Sequence, residues 1–419
     1  MTVIISWTGA SATALRQAMR LSKEGFAEKL GVSERAVAKW SAKPDTTPTP
    51  QFQQILDTAL EQLDDQGRQR FSMLVASPEP PQLPQPASVS EWILLAAAES
   101  SADALLRSGH VSADALPELI QHVMLIARNY DNESRVSACR HALAMRNVAT
   151  ELANSTRRPG ELADIYVALG QLNALMASLA FDLGNWTATA PMAKAATNYA
   201  ELAGHTSLQA WTAGLEATLA FWEGHGDIAL DRIGAGLAVA PAGAPRFRLH
   251  NIAARSHATL GDATAVRSAL KAAEIEREAM EGTHDELHHD VGGEFAFDDA
   301  RAAACAGAAL LRIGDAESAL WQTHQTFALH MSGTAPTSPA VLSGASVDGA
   351  TALALEGDLR GAETYLRPVL ELDPDPANAS LGGRLRSVAD LLEDAPTHRA
   401  KELAAEVNAW LVGHASKSA

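Results

Sequence analysis

The chain has 419 residues, too many for one ordinary core and enough for two domains, or for one domain and an extended repeat array. Only 5% of residues are aromatic and alanine is abundant, which favours helices packed through small side chains and leaves little for sheet. A net charge of −17 excludes a uniformly basic surface, so any contact with nucleic acid has to be local.

At the start, Met1–Trp7 lacks the basic and apolar regions of a signal peptide, and no later stretch reads as a membrane span. The expected location is therefore the cytoplasm, with no membrane partner. Leu15 and Met19 lie four residues apart and predict a first helix over 13–20. Ser22 sits where an N-cap belongs, Phe26, Ala27 and Leu30 form the stripe of a second helix, and Gly31 ends it. Ser33 then caps a third helix, 34–40, with Val37 and Trp40 inward.

Helix, glycine turn and capped helix in this order describe a helix-turn-helix, whose third helix enters the major groove of double-stranded DNA. The local charge agrees. Between Ala12 and Lys43, seven basic residues (Arg16, Arg20, Lys23, Lys29, Arg35, Lys39, Lys43) stand against three acidic ones. Ser33, Glu34, Arg35 and Lys39 are the candidates for groove contact: Arg35 can read guanine bidentately and Glu34 can accept from cytosine N4. Lys23, Lys39 and Lys43 suit phosphates.

The run Gly25–Trp40 resembles the Cro/repressor-type (XRE-type) domain of bacterial regulators, over about residues 10–75. That resemblance implies a five-helix, lambda-repressor-like DNA-binding domain, with 50–60 as its fourth helix behind the proline-studded loop 44–50. Gly25 departs from the family, which often has Glu or Gln there.

Prolines throughout 77–88 exclude a helix interior and predict a semi-extended linker between a head, 1–76, and a second domain, 89–419. Beyond it, helical patterns recur with a punctuating glycine followed by Asp or Asn: Gly184-Asn185, Gly226-Asp227, Gly261-Asp262, Gly314-Asp315 and Gly357-Asp358. The spacing is irregular, and only the step from Gly226 to Gly261 is close to the roughly 34 residues of a tetratricopeptide repeat. Paired helices of this kind stack into a curved solenoid with a concave face. The glycines at Gly234 and Gly236 are read as close helix packing.

Over about 90–415 this architecture resembles the degenerate tetratricopeptide-like domains attached to XRE-type heads in actinobacterial regulators. The resemblance implies a homodimer and a concave face that binds a small-molecule or peptide signal, or a partner protein. Asn173, Trp211, Trp222, Asn251 and Arg255 lie on or next to predicted first helices and are the candidate groove residues.

One stretch, 284–301, departs from the repeats. His284, His288 and His289, with Asp285, Glu286, Asp290 and Glu294, offer ligand types suited to zinc, and Glu294 could serve such a site as general base. The preferred reading is a hydrated acidic loop turned by Gly292 and Gly293 into the next helix through Phe295 and Phe297. A third reading has the loop cover the groove mouth, which adds Glu294 and Phe295 to the candidate ligand residues. HExxH is absent, and so are phosphate-loop, dinucleotide and nucleophile-elbow patterns. Cys139 and Cys305 lie far apart, in no metal-ligand spacing, and predict no disulfide framework.

These readings converge on an all-α, non-enzymatic transcriptional regulator that needs no cofactor. Its rivals are a constitutive protein-interaction scaffold and a metal-dependent enzyme centred on residues 284–294.

Overall fold

A computed structural model describes residues 7–44, 46–64, 67–68, 70–71, 100, 115–332, 337–372 and 379–418. Regular structure among them is entirely helical. The chain divides into two compact units, Met1–Glu79 and Pro80–Ala419, and their junction falls within the stretch read as a linker. The linker itself lies outside the described residues.

In the first unit, α1 (Gly9–Ala18) starts four residues earlier than the apolar spacing predicts. Its start is set by a capping box: the Thr8 hydroxyl accepts from the Ser11 amide at 3.2 Å and the Ser11 hydroxyl accepts from the Thr8 amide at 2.9 Å. Two serine/threonine side chains make this box without the usual Glu, which is why the pattern escapes a search for that residue. Gly9 lies so close to the end of α3 that a Cβ would stand 2.4 Å from the Lys43 carbonyl oxygen.

The next elements follow the predicted punctuation. Ser22 caps α2 (Lys23–Leu30) by accepting from the Gly25 amide, Gly31 ends it with φ +65°, and Ser33 caps α3 (Glu34–Ala42) by accepting from the Ala36 amide. Gly25 therefore keeps the cap intact. Helix α4 (Pro50–Glu61) begins on its proline. Residues 67–68 and 70–71 are again helical. Trp7, Leu15, Phe26, Val37, Trp40, Leu56 and Phe71 close one small core, each large side chain contributing about 1.5–3 kcal/mol of burial free energy.

The second unit continues with α5 (Ala115–Arg128), α6 (Arg135–Ser155), α7 (Pro159–Asp182), α8 (Trp186–Ala203), α9 (Thr206–Trp222), α10 (Gly226–Val239), α11 (Ala244–Thr259) and α12 (Ala263–Ala279). After the irregular segment come α13 (Asp299–Arg312), α14 (Ala316–Met331), α15 (Pro339–Leu355), α16 (Leu359–Leu370), α17 (Ala379–Asp394) and α18 (His398–Ser418). From α7 onward each odd-numbered helix packs on the following even-numbered one and on the next odd-numbered helix, and α17 also reaches back to α7. The odd-numbered helices thus form a bent row. Its members carry Ala, Gly and Ser at contact positions, which lets backbones approach closely; α7, α9 and α15 are buried on most sides.

Four of the five predicted turns hold. Gly184, Gly261, Gly314 and Gly357 have φ between +70° and +81°, and the residue after each, Asn185, Asp262, Asp315 and Asp358, caps the next helix. The fifth is displaced: Gly224 takes the left-handed conformation at φ +88°, whereas Gly226 is the first residue of α10 and lies against Leu260. A further left-handed turn at Gly204 is followed by His205, whose Nδ1 accepts from the Leu208 amide. Histidine in place of Asx hid this turn in the sequence. Close packing accounts for Gly236, where a Cβ would stand 2.8 Å from the Ala213 Cβ, and not for Gly234, which faces open space.

Helix α7 also corrects an expectation. It is long and apolar enough to cross a membrane, but 72% of its most apolar stretch is buried in the unit, as expected of a core helix.

Candidate functional site

In the first unit, α3 is held from beneath by Val37 and Trp40, the latter edge-on to Phe52 with ring centroids 5.5 Å apart. With that face buried, Ser33, Glu34, Arg35 and Lys39 are all exposed, as are Lys23 at the start of α2 and Lys43 at the end of α3. The predicted DNA-contacting residues therefore share the solvent side of this helix pair. Arg16 does not join them. It is buried, and its Nη1 donates to the Leu21 carbonyl at 2.8 Å, tying the end of α1 to the next turn.

In the second unit, the seven predicted ligand residues do not share one site. Trp222 at the end of α9 and Arg255 on α11 line a cavity of about 450 Å³ that is completed by α13, α15 and α17. Its walls therefore come from five successive odd-numbered helices. The Arg255 guanidinium lies 4.6 Å from the centre of the Phe221 ring and 5.7 Å from that of Trp222. Burial pushes its pKa below the usual guanidinium range, and its side chain donates to the Cys305 thiol. Two further cations line the space: Arg312, exposed, and Arg384, which pairs with the buried carboxylate of Asp348. Phe221, Arg312, Asp348 and Arg384 escaped the sequence reading because they lie on four different helices; the aromatic pair Phe221-Trp222 before a glycine turn was the available signal.

The other five are placed elsewhere. Asn173 is buried inside α7 and donates to the Leu169 carbonyl at 2.7 Å. Asn251 is buried and donates to the Phe247 carbonyl at 2.9 Å; it borders a separate cavity of about 360 Å³ between α11, α12, α13 and α14. Trp211 and Phe295 are core residues whose rings meet at 4.9 Å. Glu294 accepts from the Ser178 hydroxyl at 3.0 Å and pairs with Arg301 at 3.3 Å.

The segment that carries Glu294 is not a hydrated loop. A wide helical turn over Glu286–Val291 and a tight one over Gly293–Phe295 bury Leu287, Val291, Phe295 and Phe297. Arg128 on α5 donates from Nε to the Val291 carbonyl at 2.9 Å, and the Ser207 hydroxyl donates to the buried Asp285 carboxylate at 2.5 Å. None of residues 284–297 lines the 450 Å³ cavity. The histidines have protein partners as well: Nδ1 of His288 accepts from the Phe297 amide at 3.1 Å, His289 bonds the backbone of Asp285, and His284 Nε2 lies 3.0 Å from Asp290. Among the described residues no three His, Cys, Asp or Glu side chains are grouped to hold a metal ion.

Comparison with protein-family models, with curated proteins and with solved structures gives no match to this chain.

Proposed function

We propose that the chain is a sequence-specific, dimeric DNA-binding transcriptional regulator of the cytoplasm. In this reading the first unit is a lambda-repressor-like head, and the second is a tetratricopeptide-like solenoid that receives a signal in the cavity along its inner helices. The observation that carries it is the capped pair α2 and α3: joined by the left-handed Gly31, it buries Val37 and Trp40 and leaves Arg35, Lys39, Glu34 and Ser33 on one exposed face. Side chains of these types at the start of a helix suit base edges, with flanking lysines for phosphates. The remainder of the acidic chain would be repelled by DNA, which favours approach by this face.

The solenoid reading is supported by the row of odd-numbered helices and by its cavity, whose volume lies in the range of small-molecule sites. A ligand bound better in one arrangement of the helices than in another would shift the dimer between DNA-binding states.

Selection of genomic fragments by the purified full chain, with and without small molecules and peptides from its own cells, tests this function. A shared palindrome whose recovery changes with the extract is expected. A palindrome indifferent to the extract would favour the constitutive scaffold, and no enriched sequence would overturn the DNA-binding assignment.

A further inference from the structure

The cavity along the odd-numbered helices has a charge that runs against the rest of the molecule. In a chain of net charge −17, it is lined by three guanidiniums and one carboxylate. That carboxylate, Asp348, is already paired with Arg384. Arg255 has no carboxylate against it among the described residues; Asp348 acts on it only at longer range. Desolvating a cation without a paired anion is costly, and such groups ordinarily gain a partner or move into water. Arg255 instead stays partly exposed, with its guanidinium over the Phe221 and Trp222 rings and the Cys305 thiol as its hydrogen-bond partner. Contact with the two rings and the single thiol bond leave further N–H donors of the guanidinium free for a planar anion.

The remaining lining fits a body attached to that anion. Phe221, Trp222, Ala258 and Leu311 supply apolar wall, and Gly383 of α17 lies beside the Trp222 ring. A volume of about 450 Å³ suits a small organic molecule.

We infer that this cavity binds a small organic anion, a carboxylate on a planar apolar body, with the carboxylate on Arg255 and the body along Trp222. The inference rests on the proposed sensing role of the second unit and names the chemistry of its signal. Exposed Arg312 draws the anion in, and the Arg384–Asp348 pair ties α17 to α15 beside it.

Calorimetric titration of the full chain, in the absence of DNA, tests this with three probe acids, benzoate, 2-naphthoate and indole-3-acetate, and their neutral amides. Saturable binding is expected for at least one acid, with its amide weaker by about tenfold or more, the equivalent of one charge-assisted hydrogen bond. Arg255→Gln should weaken the acid to the level of the amide and leave the amide unchanged. Ser387→Glu, which adds a carboxylate at an exposed position of the lining without touching the core, should weaken the acid alone; it serves if Arg255→Gln does not fold. Equal binding of acids and amides, no saturable binding by any acid, or indifference of the acid to Ser387→Glu would overturn the inference. Because no DNA is present, these outcomes are independent of the head. Acid binding that leaves fragment recovery unchanged would uphold the ligand class and remove the coupling.

Discussion

Arg301 and Asp131 stand 170 residues apart in the chain and form an ion pair at 3.5 Å. The pair sits in a wider network. Asp131 also accepts from the Ser338 hydroxyl at 2.8 Å, Arg301 pairs with Glu294, and Arg135 joins Asp131 to Asp182. The turn after α5, the irregular segment, α13 and the start of α15 are thereby tied at one place. The partners are half-buried, and Asp131 keeps Arg135 and Ser338, so Arg301→Met is expected to destabilise the second unit by about 1.5–3 kcal/mol. Urea unfolding followed by circular dichroism measures it, and a loss below about 1 kcal/mol would mean that the network behaves as a surface salt bridge.

The same network sets a pH dependence of unusual sign. Burial, helped by Glu294 and Asp131 and opposed by Arg135 and Tyr130, raises the pKa of Asp182 from 3.8 to about 7. Native Asp182 therefore keeps its proton where the unfolded chain has lost it, and its contribution to stability falls as pH rises from about 4 to about 7. His141 and His324 act in the opposite sense. Burial, with the neighbouring His122 in the case of His141, lowers both from 6.5 to about 4, so their contribution is present above pH 6.5 and is lost as pH falls toward 4. Asp182→Asn should make stability fall more steeply toward acid, and His324→Gln should flatten that fall. Melting temperatures measured from pH 4 to 8 separate the two; parallel curves for wild type and Asp182→Asn would rule out the raised carboxyl.

On the head, Arg35 and Lys43 have separable roles under the proposed function. Arg35→Ala should cost about 1–3 kcal/mol on a selected operator and little on random DNA, whereas Lys43→Ala should weaken both alike and reduce the salt slope by about 1. Arg16 is a control with the same formal charge. Buried and bonded to the Leu21 carbonyl, it is expected to lower the melting temperature of the head when replaced by Met and to leave the salt slope unchanged. Equal losses on both DNAs for Arg35→Ala would remove it from base reading.

The head was legible because its signals are local: a Ser cap, a glycine stop and a three-residue apolar spacing each act within one turn. What was missed there is also local but atypical, as in the Thr8–Ser11 box and in Trp7, whose indole Nε1 donates to Asp57 at 2.7 Å. In the second unit four of the five glycine–Asx pairs marked turns; Gly226-Asp227 did not, and the turns at Gly224 and Gly204, where histidine follows, were missed. The candidate cavity was only partly legible. Trp222 and Arg255 stand out as an aromatic and a cation at helix positions, but their meeting with Asp348 and Arg384 depends on how far the row of helices bends, which no local pattern encodes. Burial misled in the other direction: Asn173 and Asn251 read as groove residues, yet each is absorbed by a carbonyl of its own helix.

Gly293 offers a test of how the irregular segment is seated. Its φ is +59°, and a Cβ would stand 2.0 Å from the Ala127 carbonyl oxygen, a backbone atom that cannot turn aside. Gly314 has a similar φ of +81° but nothing near its missing side chain. Both positions carry the conformational cost of a left-handed non-glycine residue, about 1–2 kcal/mol, and only Gly293 adds displacement of packed backbone, about 1–3 kcal/mol more. Gly293→Ala should therefore destabilise the second unit by more than Gly314→Ala, and it should also raise hydrogen exchange at Leu287, Val291 and Phe295, since the segment has to lift from α5 to make room. Equal effects of the two substitutions, with no change in exchange at those three residues, would show that the segment is not pressed against α5.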